Sequence, residues 1–141
     1  MLVPRLSDLV VATIYEGIDE AAAKHQYMIF VSNTGDMPQR QRDLGEMALD
    51  RRVAGMMFAD ARNDETRFLD QVAARGVPLV LVSRHLDGHC SVTCDDIRGG
   101  YLAAAHLLDL GHRDMAILAG EPYASTGRDR MAGFLACCKR T

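Results

Sequence analysis

Val53-Ala54-Gly55-Met56-Met57-Phe58-Ala59 and Val77-Pro78-Leu79-Val80-Leu81-Val82 are two continuous apolar runs. Between them Phe68, Leu69 and Val72 share one helical face, and Ala74-Arg75-Gly76 closes that segment. Short runs without apolar–polar alternation suit strands buried on both faces, as in a parallel sheet. A helix between two such strands is the crossover that parallel pairing requires.

The same beat extends outward. Met1-Leu2-Val3 and Tyr27-Met28-Ile29-Phe30-Val31 are runs upstream, and Met115-Ala116-Ile117-Leu118-Ala119 is one downstream. The first four runs start roughly 25 residues apart, room for one strand and one helix. Val11, Ile14, Tyr15, Ile18 and Ala22 share a face between about Asp8 and His25; Leu44, Met47 and Ala48 mark the next helix, and Leu102, Ala105 and Leu108 a later one. Asp64 and Asp95 are expected N-caps, and Gly76 and Gly111 expected helix ends. The chain is thus expected to be α/β: a three-layer α/β/α doubly wound parallel sheet in strand order 2-1-3-4-5, with Met115–Ala119 as the fifth strand.

Composition narrows the function. The chain has 141 residues, 48% hydrophobic and 25% charged, ordinary for one folded unit. No apolar run approaches the roughly 18 residues of a membrane span. With 16 basic and 19 acidic residues the formal charge is −3, so DNA contact would have to come from another part of the protein. The opening residues lack the charged and apolar regions of a signal peptide, and Cys90, Cys94, Cys137 and Cys138 suit reduced thiols; a cytoplasmic location is expected. Both ends are abrupt, and the chain is expected to be a piece of a longer protein.

Familiar chemistry is missing. There is no Gly-x-Gly-x-x-Gly, no P-loop and no Gly-x-Ser-x-Gly elbow. Asp60 ends the third run, where a phosphoacceptor would stand. However, Asp8 is the only acid after the first run, and Lys24 and Lys139 are the only lysines. His85, His89, Cys90 and Cys94 have zinc-ligand chemistry, but their spacing fits no compact zinc site. No catalysis, cofactor or metal is expected.

Ligands of open α/β sheets bind beyond the carboxyl ends of the strands. The loops there are Arg5–Leu9, Asn33–Met37, Asp60–Asp64, Arg84–Cys90 and Gly120–Arg128. Ser7, Asp8, Arg84, Asp95 and Arg128 are the candidate ligand contacts. Their hydroxyl, carboxylate and guanidinium groups suit a small polyhydroxylated or charged molecule. Each has a structural alternative: Ser7, Asp8 and Asp95 as helix caps, Arg84 as a solvated residue, Arg128 paired with Asp129 or Glu121. Leu9, Val10, Val11, Ala12, Ile14 and Tyr15 crowd the first helix beyond what one core-facing stripe holds. The surplus is expected to bury against a partner chain or neighbouring subdomain, or within the domain if the helix is sandwiched there.

The order of several stretches resembles the effector-binding domain of the LacI-type (lactose repressor) family of bacterial transcription regulators. Val3-Pro4-Arg5-Leu6-Ser7-Asp8 resembles its opening strand and loop, and Ile14-Tyr15-Glu16-Gly17-Ile18-Asp19-Glu20-Ala21-Ala22 its first helix. Arg51-Arg52-Val53-Ala54-Gly55-Met56-Met57 resembles its helix-to-strand segment, and Gly76–Val82 its fourth strand. The most specific part is Val92-Thr93-Cys94-Asp95-Asp96-Ile97-Arg98-Gly99-Gly100-Tyr101-Leu102-Ala103. It continues through His106-Leu107, Leu110-Gly111-His112-Arg113, Ile117-Leu118-Ala119-Gly120 and Arg128-Asp129-Arg130-Met131-Ala132-Gly133-Phe134. The chain departs from the family pattern at Ser7-Asp8-Leu9, which replaces Asn-Pro-[Phe/Tyr], and at Asp96, where Asn is common.

The resemblance implies a periplasmic-binding-protein-like (type I) fold. Residues 1–122 would be its N-terminal subdomain, and 123–141 the first helix of a second subdomain that is mostly missing. It also implies a sugar-like effector bound between subdomains, a homodimer, and operator DNA held through a helix-turn-helix headpiece absent from this chain. The alternative is a periplasmic sugar-binding protein feeding a transporter or sensor.

Overall fold

A computed structural model describes residues 1–139. The elements run β1 (Leu2–Val3), α1 (Leu9–Lys24), β2 (Ser32–Asn33), α2 (Pro38–Asp50), β3 (Met56–Phe58), α3 (Arg67–Ala74), β4 (Leu79–Val82), β5 (Ser91–Val92), α4 (Asp96–Asp109) and α5 (Ser125–Cys138). The strands form one sheet in the order β2-β1-β3-β4-β5, with every neighbouring pair parallel.

Successive side chains of a strand point to opposite faces, and this sorts the core into two clusters. Leu2, Met56, Phe58 and Leu81 face Phe68, Leu69 and Val72 of α3, with Leu44, Ala48 and Leu49 of α2 beside them. Val3, Val82 and Met57 face the other way, onto Val11, Ile14 and Ile18 of α1. The α/β/α layering follows. Phe58 and Phe68 meet edge to face with centroids 6.2 Å apart, which adds about 0.5–1.5 kcal/mol to their burial.

The fifth strand is not the one the apolar runs indicate. It is Ser91–Val92, an exposed edge paired to β4 in the register Leu81↔Ser91 and Val82↔Val92. Met115–Ala119 is in no strand; Leu118 is fully exposed. The reason is physical: an edge strand needs only backbone partners, so Ser91-Val92 pairs without an apolar signature. Among the described residues nothing pairs with the backbone of 115–119.

Helix ends follow local chemistry in most places. Asp8 accepts from Val10 N at 2.9 Å, and Asp95 from Arg98 N at 2.8 Å. Gly76 and Gly111 adopt φ of +72° and +89° just past α3 and α4, where a Cβ would be strained. Arg113 Nη1 donates to the Leu108 carbonyl at 3.0 Å, capping the end of α4. Asp64 does not cap α3; Thr66 holds that place, and Asp64 is taken by Arg62.

The last two helices make a third cluster, in which Ala104, Phe134 and Cys137 are joined by Tyr101, Leu107, Leu108 and Met115. A Cβ on Gly100 would collide with the Arg130 carbonyl, and one on Gly133 with that of Ile97. The two backbones therefore cross in close contact. Packing groups α4 with α5, whereas a division at residue 122 would group it with the sheet. Arg140 and Thr141 lie outside the described residues.

Candidate functional site

The loops after β2, β3 and β4 converge at the carboxyl edge of the sheet. Thr34 is buried there, and its hydroxyl donates to the Val3 carbonyl at 3.1 Å. The next two residues turn sharply, Gly35 and Asp36 having φ of +65° and +60°. Acidic and amide side chains tolerate this region better than bulky ones. The turn presents the Asp36 carboxylate to Arg84, which follows β4.

Arg84 donates from Nη1 to Asp36 Oδ1 and from Nη2 to Asp36 Oδ2, both at 2.8 Å. Its Nη1 also reaches the Ala61 carbonyl at 3.2 Å. Two parallel charge-assisted bonds fix both partners in orientation. Arg62 makes a similar fork onto Asp64 at 2.9 and 2.8 Å and donates to the Asp36 carbonyl at 2.9 Å. Its guanidinium lies 3.4 Å from the centroid of the Tyr123 ring, a cation–π contact. The Tyr123 hydroxyl donates to Asp36 Oδ2 at 3.3 Å. Burial raises the Tyr123 pKa, and the Asp36 and Glu121 charges raise it further, so the phenol keeps the proton it donates.

A second group lies where α5 begins. His85 Nε2 is 2.6 Å from Asp129 Oδ2, and the His85 backbone N–H donates to Ser125 Oγ at 2.9 Å. Arg128 Nε donates to Asp129 Oδ1 at 3.3 Å. Burial pushes the Asp129 carboxyl up, but His85 and Arg128 outweigh it and hold the pKa below the ordinary value. Asn63 N donates to the Tyr123 carbonyl at 3.1 Å. These contacts join the sheet to the α4–α5 unit.

Asp60 sits just beneath, at the end of β3. It is 1% exposed, and among the described residues neither carboxylate oxygen has a hydrogen-bond partner. Burial raises its pKa; nearby Thr34 and Gln41 and the Arg84 charge pull the other way. At that burial it cannot serve as a surface phosphoacceptor.

The sequence candidates scatter. Arg84 and Arg128 join the cluster, each with a carboxylate partner. Asp8 and Asp95 are exposed and engaged as helix caps, and Ser7 is exposed. Sequence reading missed Asp36, Arg62 and Tyr123, and considered His85 and Asp129 only as a zinc ligand and an ion-pair partner. His89 points elsewhere, to Asp70 at 3.1 Å. Among the described residues no group of three or more His, Cys, Asp or Glu is placed to hold a metal ion.

Two of the cavities among the described residues bear on where a ligand could sit. One of about 720 Å³ lies beside Arg84, lined by Gly120, Thr126, Gly127, Arg130 and Phe134 among others. A larger one of about 1150 Å³ lies at the opposite ends of the strands, lined by Ile18, Tyr27, Met28, Phe30, Met47 and Val53 among others. It is mostly apolar. The cavity beside Arg84 is lined mainly by small and apolar residues, with Arg84, Glu121, Thr126 and Arg130 as its polar groups; of the polar cluster only Arg84 borders it.

Comparison with known proteins agrees with this fold. A family described as periplasmic binding proteins and sugar binding domain of LacI family matches residues 1–141. The HTH-type transcriptional repressor PurR of Vibrio parahaemolyticus is 30% identical over 141 residues, covering 95% of this chain and 41% of the repressor. The Cra transcriptional dual regulator of Pseudomonas putida, solved with fructose 1-phosphate, superimposes with a TM-score of 0.90 at 23% identity, covering 98% of this chain and 52% of that one. A periplasmic binding protein/LacI transcriptional regulator of Alkaliphilus metalliredigens, solved with D-xylulofuranose, gives 0.86 at 25% identity, covering 99% and 51%. The chain therefore spans about two fifths of the PurR relative's length and half of the solved chains.

Proposed function

Since the chain belongs to the family of periplasmic binding proteins and LacI-type sugar-binding domains, we propose that it forms one wall of the effector-binding domain of a bacterial transcriptional regulator. The observation that carries this is the polar cluster joining the sheet to the α4–α5 unit at the carboxyl tips of the strands. A small polyhydroxylated effector seated there would add hydrogen bonds to both units and favour one placement of them over another. Only such differential affinity can shift a conformational equilibrium and pass a signal on.

The division between subdomains falls ahead of α4, where the packing changes, rather than near residue 122. Arg128 is the foremost effector contact among the five candidates, because among the described residues its terminal nitrogens make no hydrogen bond. Ser7 is a second donor. Arg84 acts through its pairing with Asp36, and Asp8 and Asp95 act as caps. Operator DNA is held by a headpiece outside this chain, in keeping with its net charge of −3. Exposed Leu9 and Val10 at the start of α1 support a homodimer. The related transcriptional regulators favour this reading over a periplasmic carrier or an enzyme, and a cytoplasmic location follows from it. No helix among the described residues is long and apolar enough to cross a membrane.

The test is a thermal-shift screen of sugars and sugar phosphates on the intact polypeptide that contains this chain, followed by operator binding with each hit. A hit that changes operator affinity supports the reading. Silence across dozens of sugars, or hits without effect on DNA, overturns it.

A further inference from the structure

We infer that the apolar cavity at the amino ends of the strands is a strand slot: an extended apolar segment of about four residues, joined to Met1, lies in it as the continuation of β1. The sheet order puts β1 between β2 and β3. β1 pairs as Leu2↔Ser32 and Val3↔Asn33 on one side and as Leu2↔Phe58 on the other. Carried back along the chain, that register sets the residue before Met1 between Phe30 and Met56, and the one before it between Ile29 and Gly55. The cavity, of about 1150 Å³, is bordered by 27–30 on one side and by 53–57 on the other. Among the described residues the backbone N–H groups of Met28, Phe30 and Gly55 make no backbone hydrogen bond. Ser32 N donates to the Met1 carbonyl at 3.0 Å and Ala59 N to the Leu2 carbonyl at 2.9 Å. The same ladder, continued, takes all three. Open backbone groups of this kind are what an added strand pairs with.

The slot is apolar on both faces. Ile18 and Ala22 of α1 line one, and Leu44 and Met47 of α2 the other. A strand covered on both sides is apolar at successive positions, not at alternate ones. Tyr27, Met28 and Phe30 are exposed, and a strand beside them would cover that apolar area. The Met1 amine identifies the occupant. It donates to the Phe30 carbonyl, as the N–H of a β1 residue does in a parallel ladder. Burial lowers its pKa, although the Asp60 charge opposes this. A peptide N–H makes the same bond without a charge to desolvate. A segment joined to Met1 therefore removes a cost, whereas a strand from a second copy would end against the buried ammonium.

The test is residue-resolved hydrogen exchange on the intact polypeptide that contains this chain. The amides of Met28, Phe30 and Gly55 are expected to exchange within about tenfold of those of Ser32 and Ala59, as members of one cooperative sheet do. Exchange about 100-fold faster or more, close to that of open chain, overturns the inference. A cysteine pair then identifies the occupant: Phe30→Cys with a cysteine at the position before Met1. Neighbouring strands lie about 4.8 Å apart, within disulfide reach. A bridge within one polypeptide, located by mass spectrometry, is the expected result. A bridge between two polypeptides gives the slot to a second copy and overturns the inference, and so does no bridge at all. A charged residue at either of the two positions before Met1 overturns it as well. Should Phe30→Cys fail to fold, exchange in the unaltered protein still decides whether the slot is filled. The outcome does not depend on whether any sugar binds.

Discussion

Asp36 and Arg84 stand 48 positions apart in sequence and are joined by two hydrogen bonds of 2.8 Å each. The contact ties the loop after β2 to the loop after β4, over the tips of β1 and β3. Tyr123 and the Ala61 carbonyl attach to the same pair. One fork thus sets the shape of the whole carboxyl edge.

Removing one partner of this pair should cost more than removing both. With side chains 22% and 11% exposed, the pair is too enclosed for a surface value and not enclosed enough for a fully buried one. Asp36→Ala is expected to lower stability by about 2–3 kcal/mol, leaving Arg84 desolvated and unpaired. Asp36→Ala with Arg84→Met should be less destabilising than the sum of the single changes. Urea denaturation of the four proteins measures the coupling; strict additivity would show that the pair contributes nothing jointly.

Gly99 and Gly100 are adjacent but should respond oppositely to alanine. Gly99 has open space where a Cβ would go, whereas at Gly100 the Cβ would strike the Arg130 carbonyl. Gly99→Ala should stabilise α4 by about 0.5–1 kcal/mol. Gly100→Ala should cost about 1–3 kcal/mol, because α5 must move away. Thermal denaturation of both variants checks the contrast, and a stabilised Gly100→Ala would refute the close crossing.

The contrast also shows where sequence reading succeeds and stops. Three of the five strands, β1, β3 and β4, were legible as apolar runs, since a strand covered on both faces must be apolar throughout; the run Tyr27–Val31 stops just short of β2, the edge strand Ser32–Asn33. β5 was not, because Ser91 and Val92 are held by backbone bonds at an exposed edge. The run Met115–Ala119 misled for the converse reason: its composition suits a strand, but a strand also needs a neighbour. In the site, Arg84 and Arg128 were legible from their positions after β4 and at the start of α5. Asp36 was not, because nothing local distinguishes Gly35-Asp36 from an ordinary turn. Its role comes from a partner 48 residues away, and the pairing of distant loops is set by the assembled sheet.

Asp60 gives a prediction whose sign opposes that of an ordinary ion pair. Its folded pKa is raised by burial. As pH rises, the unfolded chain therefore loses its proton first, near the ordinary value of about 3.9. Between that pH and the raised folded pKa the native state loses stability, and above the folded pKa the loss is constant. Asp60→Asn cannot ionise, so it should be more stable than the parent at neutral pH and show no such decline. Urea midpoints from pH 3 to pH 8 test this; an unchanged pH profile would show that Asp60 is ionised at little cost in the folded protein.

Asp129 behaves in the ordinary direction. Its pKa is held below the usual value because His85 and Arg128 together outweigh the effect of burial. The stability it confers is fully present above the unfolded value of about 3.9 and is lost as pH falls through the lower folded pKa. Asp129→Asn should remove that acid limb. The same change takes away the charged acceptor beside Arg128, so it should also weaken a free sugar by about tenfold, one charge-assisted hydrogen bond. The two readouts separate the roles. Loss of the acid limb with sugar affinity unchanged would confine Asp129 to holding α5 against the loop after β4.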